Sequence, residues 1–296
     1  MNILLTGGTG FIGSALVSSL LEDAHQVTVL SRQPIAGGDG LNYITALDAL
    51  GEDARIDAVI NLAGASLADK RWTEIYKQEI LSSRLDTTQQ VVELIGRLKQ
   101  PPAVLLSASA IGYYGHHDDE ILGEDGESTP GFAQNLCAEW ERAAMRAGSG
   151  STRVCLLRLG VVLDNGGGAF KQMELPFRLG VANWMGHGRQ WLSWIHREDV
   201  IAAIKLLLEA PGLSGPFNLT APEPVTSRGF CDAMKRHHRT FVTAPVPAFV
   251  MRLMVGEMAG ELLLNGQRVV PTALQAAGFN FRYPTLDSAL SAISAG

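Results

Sequence analysis

Met1 to Gly13 reads MNILLTGGTGFIG: an apolar run, Ile3 to Leu5, stops on glycines and gives way at once to the helical spacing of Phe11 to Glu22. Gln26 to Ser31, QVTVLS, is β-branched strand again. Together these segments spell one βαβ unit. Gly7, Gly10 and Gly13 fall between the strand and the helix. A side chain there blocks the tight turn, the approach of backbone to a pyrophosphate, or the packing of helix on strand. The helix N-terminus then offers unpaired N–H groups to an anion. The stretch predicts a dinucleotide site built from Gly7, Thr9, Gly10, Phe11, Ile12 and Gly13; the plainer alternative is a purely structural glycine turn.

Working outward, the alternation continues with DAVINLAG (Asp57 to Gly64), a long helical region from Trp72 to Lys99 and PPAVLLSAS (Pro101 to Ser109). A helix around Leu136 to Met145 and the run RVCLLRLGVV (Arg153 to Val162) follow. Strands that are apolar throughout and alternate with helices imply a parallel sheet covered on both faces. The expected class is α/β, a doubly wound sheet over residues 1–160. Beyond it the rhythm loosens, through a triple glycine at Gly166 to Gly168 and MGHGRQ at Met185 to Gln190. A helix at Asp199 to Glu209, a PFNLT strand at Pro216 to Thr220 and a helix at Ser227 to His238 come next. Residues 161–296 read as a smaller α+β lobe that closes over the mouth of the sheet, with the chain crossing between lobes.

A chain of 296 residues can bury a large core, and 46% hydrophobic with 18% charged residues is a globular composition. The net charge of -6 argues against nucleic acid, whose phosphates need clustered Lys and Arg. The strand begins directly after Met1, so no presequence is expected and cytoplasm is the default. The apolar segment Pro245 to Leu264 is interrupted by Arg252, Glu257 and Glu261, too costly for a bilayer centre, and reads as an amphipathic or buried helix. Cys137, Cys155 and Cys231 lack a metal-ligand spacing and read as buried free thiols.

The choice of dinucleotide turns on residues 31 and 32. Where an NAD site carries an acid for the ribose 2'-hydroxyl, the second strand ends in Ser31-Arg32. Arg32 can fork onto a 2'-phosphate and Ser31 can donate to it, which favours NADP(H) over the alternative of a solvated strand-end arginine.

With GGTGFIG, NLAG at Asn61 to Gly64 and SASAIGYYG at Ser107 to Gly115, the chain resembles the extended and atypical short-chain dehydrogenase/reductases. GHGRQWLSWIHREDV, Gly186 to Val200, resembles the stretch before their inter-lobe helix. The tail from Pro245 to Phe279 resembles the C-terminal segment, about residues 245–292, of the YfcH-type epimerase family proteins. The resemblance implies an NADP(H)-binding Rossmann domain with a substrate lobe. It implies cofactor roles for Asn61, Leu62, Ala63 and Gly64 along the adenosine side, for Glu79 and Arg84 in QEILSSR, for Ser107, and for Val161 near the nicotinamide. By residue chemistry alone, Glu79 and Arg84 are equally an exposed helical pair.

In that superfamily a tyrosine four residues before a lysine handles the proton. The chain here reads GFAQNLCAEWE from Gly131 to Glu141, and Phe132 and Leu136, or their neighbours, occupy those places. Loss of a positioned acid/base costs about 10²- to 10⁴-fold, so another group must serve an active enzyme. Ser109 matches the hydrogen-bonding Ser of the SSxxxYG-type motif, whose extra residue here leaves open whether Tyr113 or Tyr114 faces the site. Either phenol is a displaced acid or a packing tyrosine, and Cys137 is an ionisable thiol or core.

His116, His117, Asp118, Asp119 and Glu120 form a polar loop, with no metal site expected. Asp199 is placed to cap the helix it opens, with His196 packing beside it. Arg189 and Trp191 can clamp a substrate phosphate or carboxylate, Trp191 and Trp194 being core tryptophans in the rival reading. Two functions follow: an NADP(H)-dependent oxidoreductase or epimerase on a small polar, nucleotide-sugar-like molecule, or a non-catalytic NADP(H)-binding sensor or scaffold. A catalyst leaves polar-lined space beside the reacting carbon, whereas a sensor fills it with Phe132, Leu136 and the tail's leucines. The Trp72 to Lys99 helix is suited to pair across a two-fold axis in a homodimer.

Overall fold

A computed structural model describes residues 1–67 and 69–295. In chain order the first elements are β1 (Asn2–Thr6), α1 (Phe11–Glu22), β2 (Gln26–Leu30), β3 (Leu41–Ile44), β4 (Ala58–Asn61), α2 (Glu74–Arg97), β5 (Val104–Ala110), β6 (Ile121–Leu122) and α3 (Phe132–Met145). They continue with β7 (Arg153–Leu159), β8 (Val161–Leu163), α4 (Gly168–Arg178), β9 (Val181–Met185), β10 (Trp191–Leu192), β11 (Trp194–His196), α5 (Arg197–Glu209) and β12 (Gly215–Leu219). The last are β13 (Val225–Thr226), α6 (Ser227–His237), β14 (Val242–Val246), α7 (Ala248–Val255), β15 (Arg268–Val269), α8 (Thr272–Ala276) and α9 (Leu286–Ala295).

The main sheet runs β12-β7-β5-β4-β1-β2-β3 and is parallel throughout. This is the doubly wound α/β arrangement expected from the alternating elements. Successive residues of a strand face opposite sides. Ile3 and Leu5 join Leu16, Leu20, Ile204 and Leu207 under α1 and α5, while Leu4 joins Val91, Leu94 and Ala144 under α2 and α3. Both faces are covered, which is why the strands carry no polar alternation.

Three details differ from the sequence-based expectation. PFNLT, expected in the smaller lobe, supplies the sheet's edge strand β12, reached through α5, which packs on α1. RVCLLRLGVV is not one strand: it breaks at Gly160, where a Cβ would press on the backbone of Ser193, and β8 pairs with β11 instead. The segment from Pro245 is two short helical pieces, α7 and a π turn at Ala259–Leu263, separated by Gly256 at φ +68°.

A second core gathers Phe170, Phe177, Trp194, Phe230, Met234 and Leu290, all from beyond β7. Burial of a Phe of this kind contributes roughly 1.5–3 kcal/mol. The tail returns to the larger unit, where Met258, Leu262 and Leu263 pack with Trp72, Tyr76, Phe132 and Leu136. No described helix is long and apolar enough to cross a membrane.

Candidate functional site

The glycine turn after β1 has the shape its sequence calls for. Gly7 lies at φ +71°, and a Cβ there would sit 2.7 Å from the carbonyl of Leu62. A Cβ on Gly13 would overlap the carbonyl oxygen of Gly7, so the helix meets the turn backbone to backbone. Gly10 caps α1 without a side-chain hydrogen bond, and no acid lies in the first turn. The first N–H groups and the helix dipole are left for an anion. Thr9 and Gly10 are exposed and Phe11 and Ile12 half-buried. Arg197 closes this mouth: it ion-pairs with Asp164 at 2.6 Å and stacks on the Phe11 ring at 4.8 Å.

At the end of β2 the two expected phosphate ligands differ. Ser31 is buried and folded back, donating to the Gln33 carbonyl at 2.8 Å and accepting from the Gln33 N–H. Arg32 is exposed, and its side chain has no hydrogen bond or ion pair among the described residues. Asn61 is fully buried: it accepts from Thr6 Oγ1 at 2.6 Å and donates to Thr88 Oγ1 and Ser107 Oγ. It therefore ties the ends of β1, β4 and β5 together, and Thr6 Oγ1 also receives the N–H of Ala63.

Arg84 and Glu79 do not pair with each other. Glu79 meets Lys70 in solvent. Arg84 is buried beneath Gly64, donates to the carbonyls of Ile80 and Ala65, and lies 5.2 Å from the Trp140 ring centre. Burial pulls its pKa down, with the nearby Cys137 and Tyr76 opposing.

The candidate reaction region lies at the carboxyl ends of β5, β7 and β12, where Ser109, Arg158 and Asn218 stand side by side in register. Ser109 Oγ donates to Glu141 Oε1 at 2.7 Å. Arg158 grips the same carboxylate with two parallel bonds, Nε to Oε1 at 2.9 Å and Nη2 to Oε2 at 3.0 Å. Its remaining nitrogen donates to the Tyr114 hydroxyl at 2.9 Å, which donates to Asn218 Oδ1 at 2.7 Å. Asn218 reaches the tail through the Val270 carbonyl.

This chain separates the two tyrosines. Tyr114 is fully buried with its hydroxyl committed, and burial pushes its pKa up despite Arg158. Its hydroxyl is a strut between strands. Tyr113 is half-buried, its ring 3.5 Å from the Arg158 guanidinium carbon, and its hydroxyl has no partner among the described residues. The α3 face turned to this region carries Ala133 and Cys137, both against Gly112, and then Glu141. Phe132 and Leu136 face α2 and the tail instead. Burial pushes the Cys137 thiol up to about 12, with Glu141 adding to it, so the thiol stays protonated.

The helix α5 is capped by His196, whose Nδ1 accepts from Glu198 N, and not by Asp199. Asp199 is buried and accepts from the backbone N–H of Arg282 and Tyr283 at 2.8 and 3.0 Å, fastening the tail. Val161 is half-buried and bonds through its N–H to Ser193 O. Arg189 is exposed, while Trp191 donates its indole N–H to Asp119 at 2.8 Å. His117 bonds Glu120 and the Tyr114 carbonyl, and no three His, Cys, Asp or Glu side chains converge among the described residues.

Glu141, Arg158, Asn218 and Arg268 escaped the sequence reading. The first two did leave a signal, for an arginine inside an apolar strand and a glutamate on an apolar helix face must find partners.

Comparison with known proteins bears on this geometry. Residues 3–219 match the NAD dependent epimerase/dehydratase family, and residues 246–293 match a domain of unknown function, DUF1731. An epimerase family protein of Mycobacterium tuberculosis is 37% identical over 290 residues, 97% of this chain and 96% of its own. One from Staphylococcus haemolyticus is 40% identical over 291 residues, 96% of this chain and 95% of its own. The crystal structure of the human epimerase family protein SDR39U1 (isoform 2) with NADPH superposes with a TM-score of 0.89 at 36% identity, covering both chains fully.

Proposed function

The chain belongs to the NAD dependent epimerase/dehydratase family, and on that footing we propose that it is an NADP(H)-binding, epimerase-like oxidoreductase. Its substrate is a small polar molecule, nucleotide-sugar-like in class, held between the lobes. The observation that carries the reading is the uncapped α1 N-terminus behind a glycine cradle, with the free Arg32 beside it. The relative crystallised with NADPH supports the same cofactor.

When bound, the dinucleotide supplies hydride transfer at its nicotinamide ring. The chain's own residues do the rest. The first N–H groups of α1 hold the pyrophosphate, and Arg32 holds the 2'-phosphate. Ser109, whose proton is given to Glu141, accepts a hydrogen bond from a substrate hydroxyl. Tyr113, the phenol with an uncommitted hydroxyl, gives its proton to the carbonyl oxygen as hydride reaches the carbonyl carbon, forming that hydroxyl, and takes the proton back in the reverse direction.

One observation favours the second reading, a non-catalytic NADP(H) sensor: Ser109 is only 1% exposed, which leaves a substrate little access to its hydroxyl. Single-turnover exchange decides between them. Protein loaded with C4-deuterated NADPH is mixed with pooled metabolites and sugar nucleotides. An enzyme releases label, and Ser109→Ala or Tyr113→Phe slows release by about 10²- to 10⁴-fold. Tight NADPH binding with no release from a broad pool moves the assignment to the sensor.

A further inference from the structure

We propose that Arg268, stacked on Trp191, is an oxyanion clamp of the inter-lobe cleft that takes a carboxylate or phosphate of the substrate. The inference rests on the proposed function only in identifying the ligand as the substrate.

The backbone on both sides of Arg268 is fixed. Ser193 Oγ donates to the Gln267 carbonyl at 2.8 Å and accepts from Val269 N at 2.9 Å, and β15 pairs with β6. The guanidinium carbon lies 4.4 Å from the Trp191 ring centre, close enough for the planar cation to stack. Trp191 is itself held, by its indole bond to Asp119 and by pairing with β13.

What distinguishes Arg268 is a buried donor that nothing answers. Its Nε is buried and meets no acceptor, and its guanidinium makes no ion pair among the described residues. Three arginines of neighbouring elements are answered by carboxylates, Arg158 by Glu141, Arg197 by Asp164 and Arg282 by Glu198, while Arg189 and Arg228 stand in solvent. A covered cation with unmet donors is costly, and an oxyanion is the ligand that satisfies a planar fork. One residue before Trp191, the buried Gln190 Oε1 is a second unmet group, its amide nitrogen being spent on the Met185 and Leu263 carbonyls. It is an acceptor suited to a hydroxyl, so the pair matches a hydroxylated anion such as a hydroxy acid or a sugar phosphate.

The position is right for a substrate. Ser193, which braces Arg268, accepts through its carbonyl from Val161 N, and Val270, two residues beyond, accepts from Asn218 in the reaction region. Open α/β sheets bind their ligands in the crevice outside the carboxyl ends of the strands.

The test is calorimetric titration of NADP+-saturated protein, so that the dinucleotide's own phosphate positions are filled, with methyl phosphate in one arm and acetate in the other. The expected result is saturable binding weakened at least about tenfold in Arg268→Met. Arg268→Lys, which keeps the charge and loses the fork, falls between and serves if the first variant does not fold. Arg228→Met, which removes an exposed arginine stacked on Trp184, leaves binding unchanged. Tighter methyl phosphate assigns a phosphorylated substrate, and tighter acetate a carboxylate. No saturable binding in either arm, or equal binding in wild type and Arg268→Met, overturns the clamp. Failure of NADP+ to saturate sinks the cofactor reading instead, and the same wild-type and variant comparison on free protein still decides the clamp.

Discussion

At the scale of single residues, Arg32 and Ser31 show how a two-residue motif divides in space. Ser31 spends its hydroxyl on its own turn, closing an Asx-like loop with Gln33, whereas Arg32 stands clear. In the proposed cofactor reading, discrimination between NADPH and NADH falls on one guanidinium. A hydrogen bond to a charged group is worth about 1.5–3 kcal/mol, so Arg32→Ala should weaken NADPH by about tenfold to a hundredfold and leave NADH nearly unchanged. Titration calorimetry with both dinucleotides checks this; equal losses would remove Arg32 from the 2'-phosphate.

At the scale of elements, the joint between α3 and β7 is an ion pair inside the fold. The side chains of Arg158 and Glu141 are 4% and 8% exposed, so solvent screens them little. Two charges in such a place are stabilising only as a pair. Removing one leaves the other buried and unmatched, a cost of about 3–5 kcal/mol, whereas replacing both by apolar groups of similar volume is close to neutral. Urea unfolding of Arg158→Met should show that loss, and the double variant Arg158→Met with Glu141→Leu should recover most of it. A double variant no more stable than the single would mean that the pair, with Ser109 and Tyr114 attached, contributes in a different way.

At the scale of the whole molecule, the tail is tied to the larger unit at α5. Asp199 takes two backbone N–H groups of the tail, and the Tyr283 ring lies 4.0 Å from that of His196. Burial holds the His196 pKa below its ordinary 6.5, against the pull of Asp164, Glu198 and Asp199. Below about pH 6.5 the unfolded chain binds a proton that the folded chain refuses, until the lower folded pKa is reached. Stability thus falls as pH drops through that window. Unfolding free energy measured at pH 7 and again about one to two units lower should fall more for wild type than for His196→Asn, which keeps a capping side chain without the titration. Parallel falls would assign the pH dependence to other groups.

The sequence by itself determined the βαβ order, the parallel sheet and the glycine turn, because each rests on local facts: apolar runs of strand length, helical spacing, and backbone positions where only Gly7 and Gly13 fit. Those signals survive without knowledge of distant neighbours. The tertiary structure alone decided which tyrosine is committed, that α3 turns Ala133 and Cys137 towards Gly112 beside the reaction region, and that β12 completes the sheet from beyond residue 160. It also brought Glu141 to Ser109 and Trp191 to Arg268, pairs separated by long stretches of chain. The physical reason is that a buried polar group is defined by the partner it meets, and the partner's identity is set by packing across elements and not by spacing along the sequence.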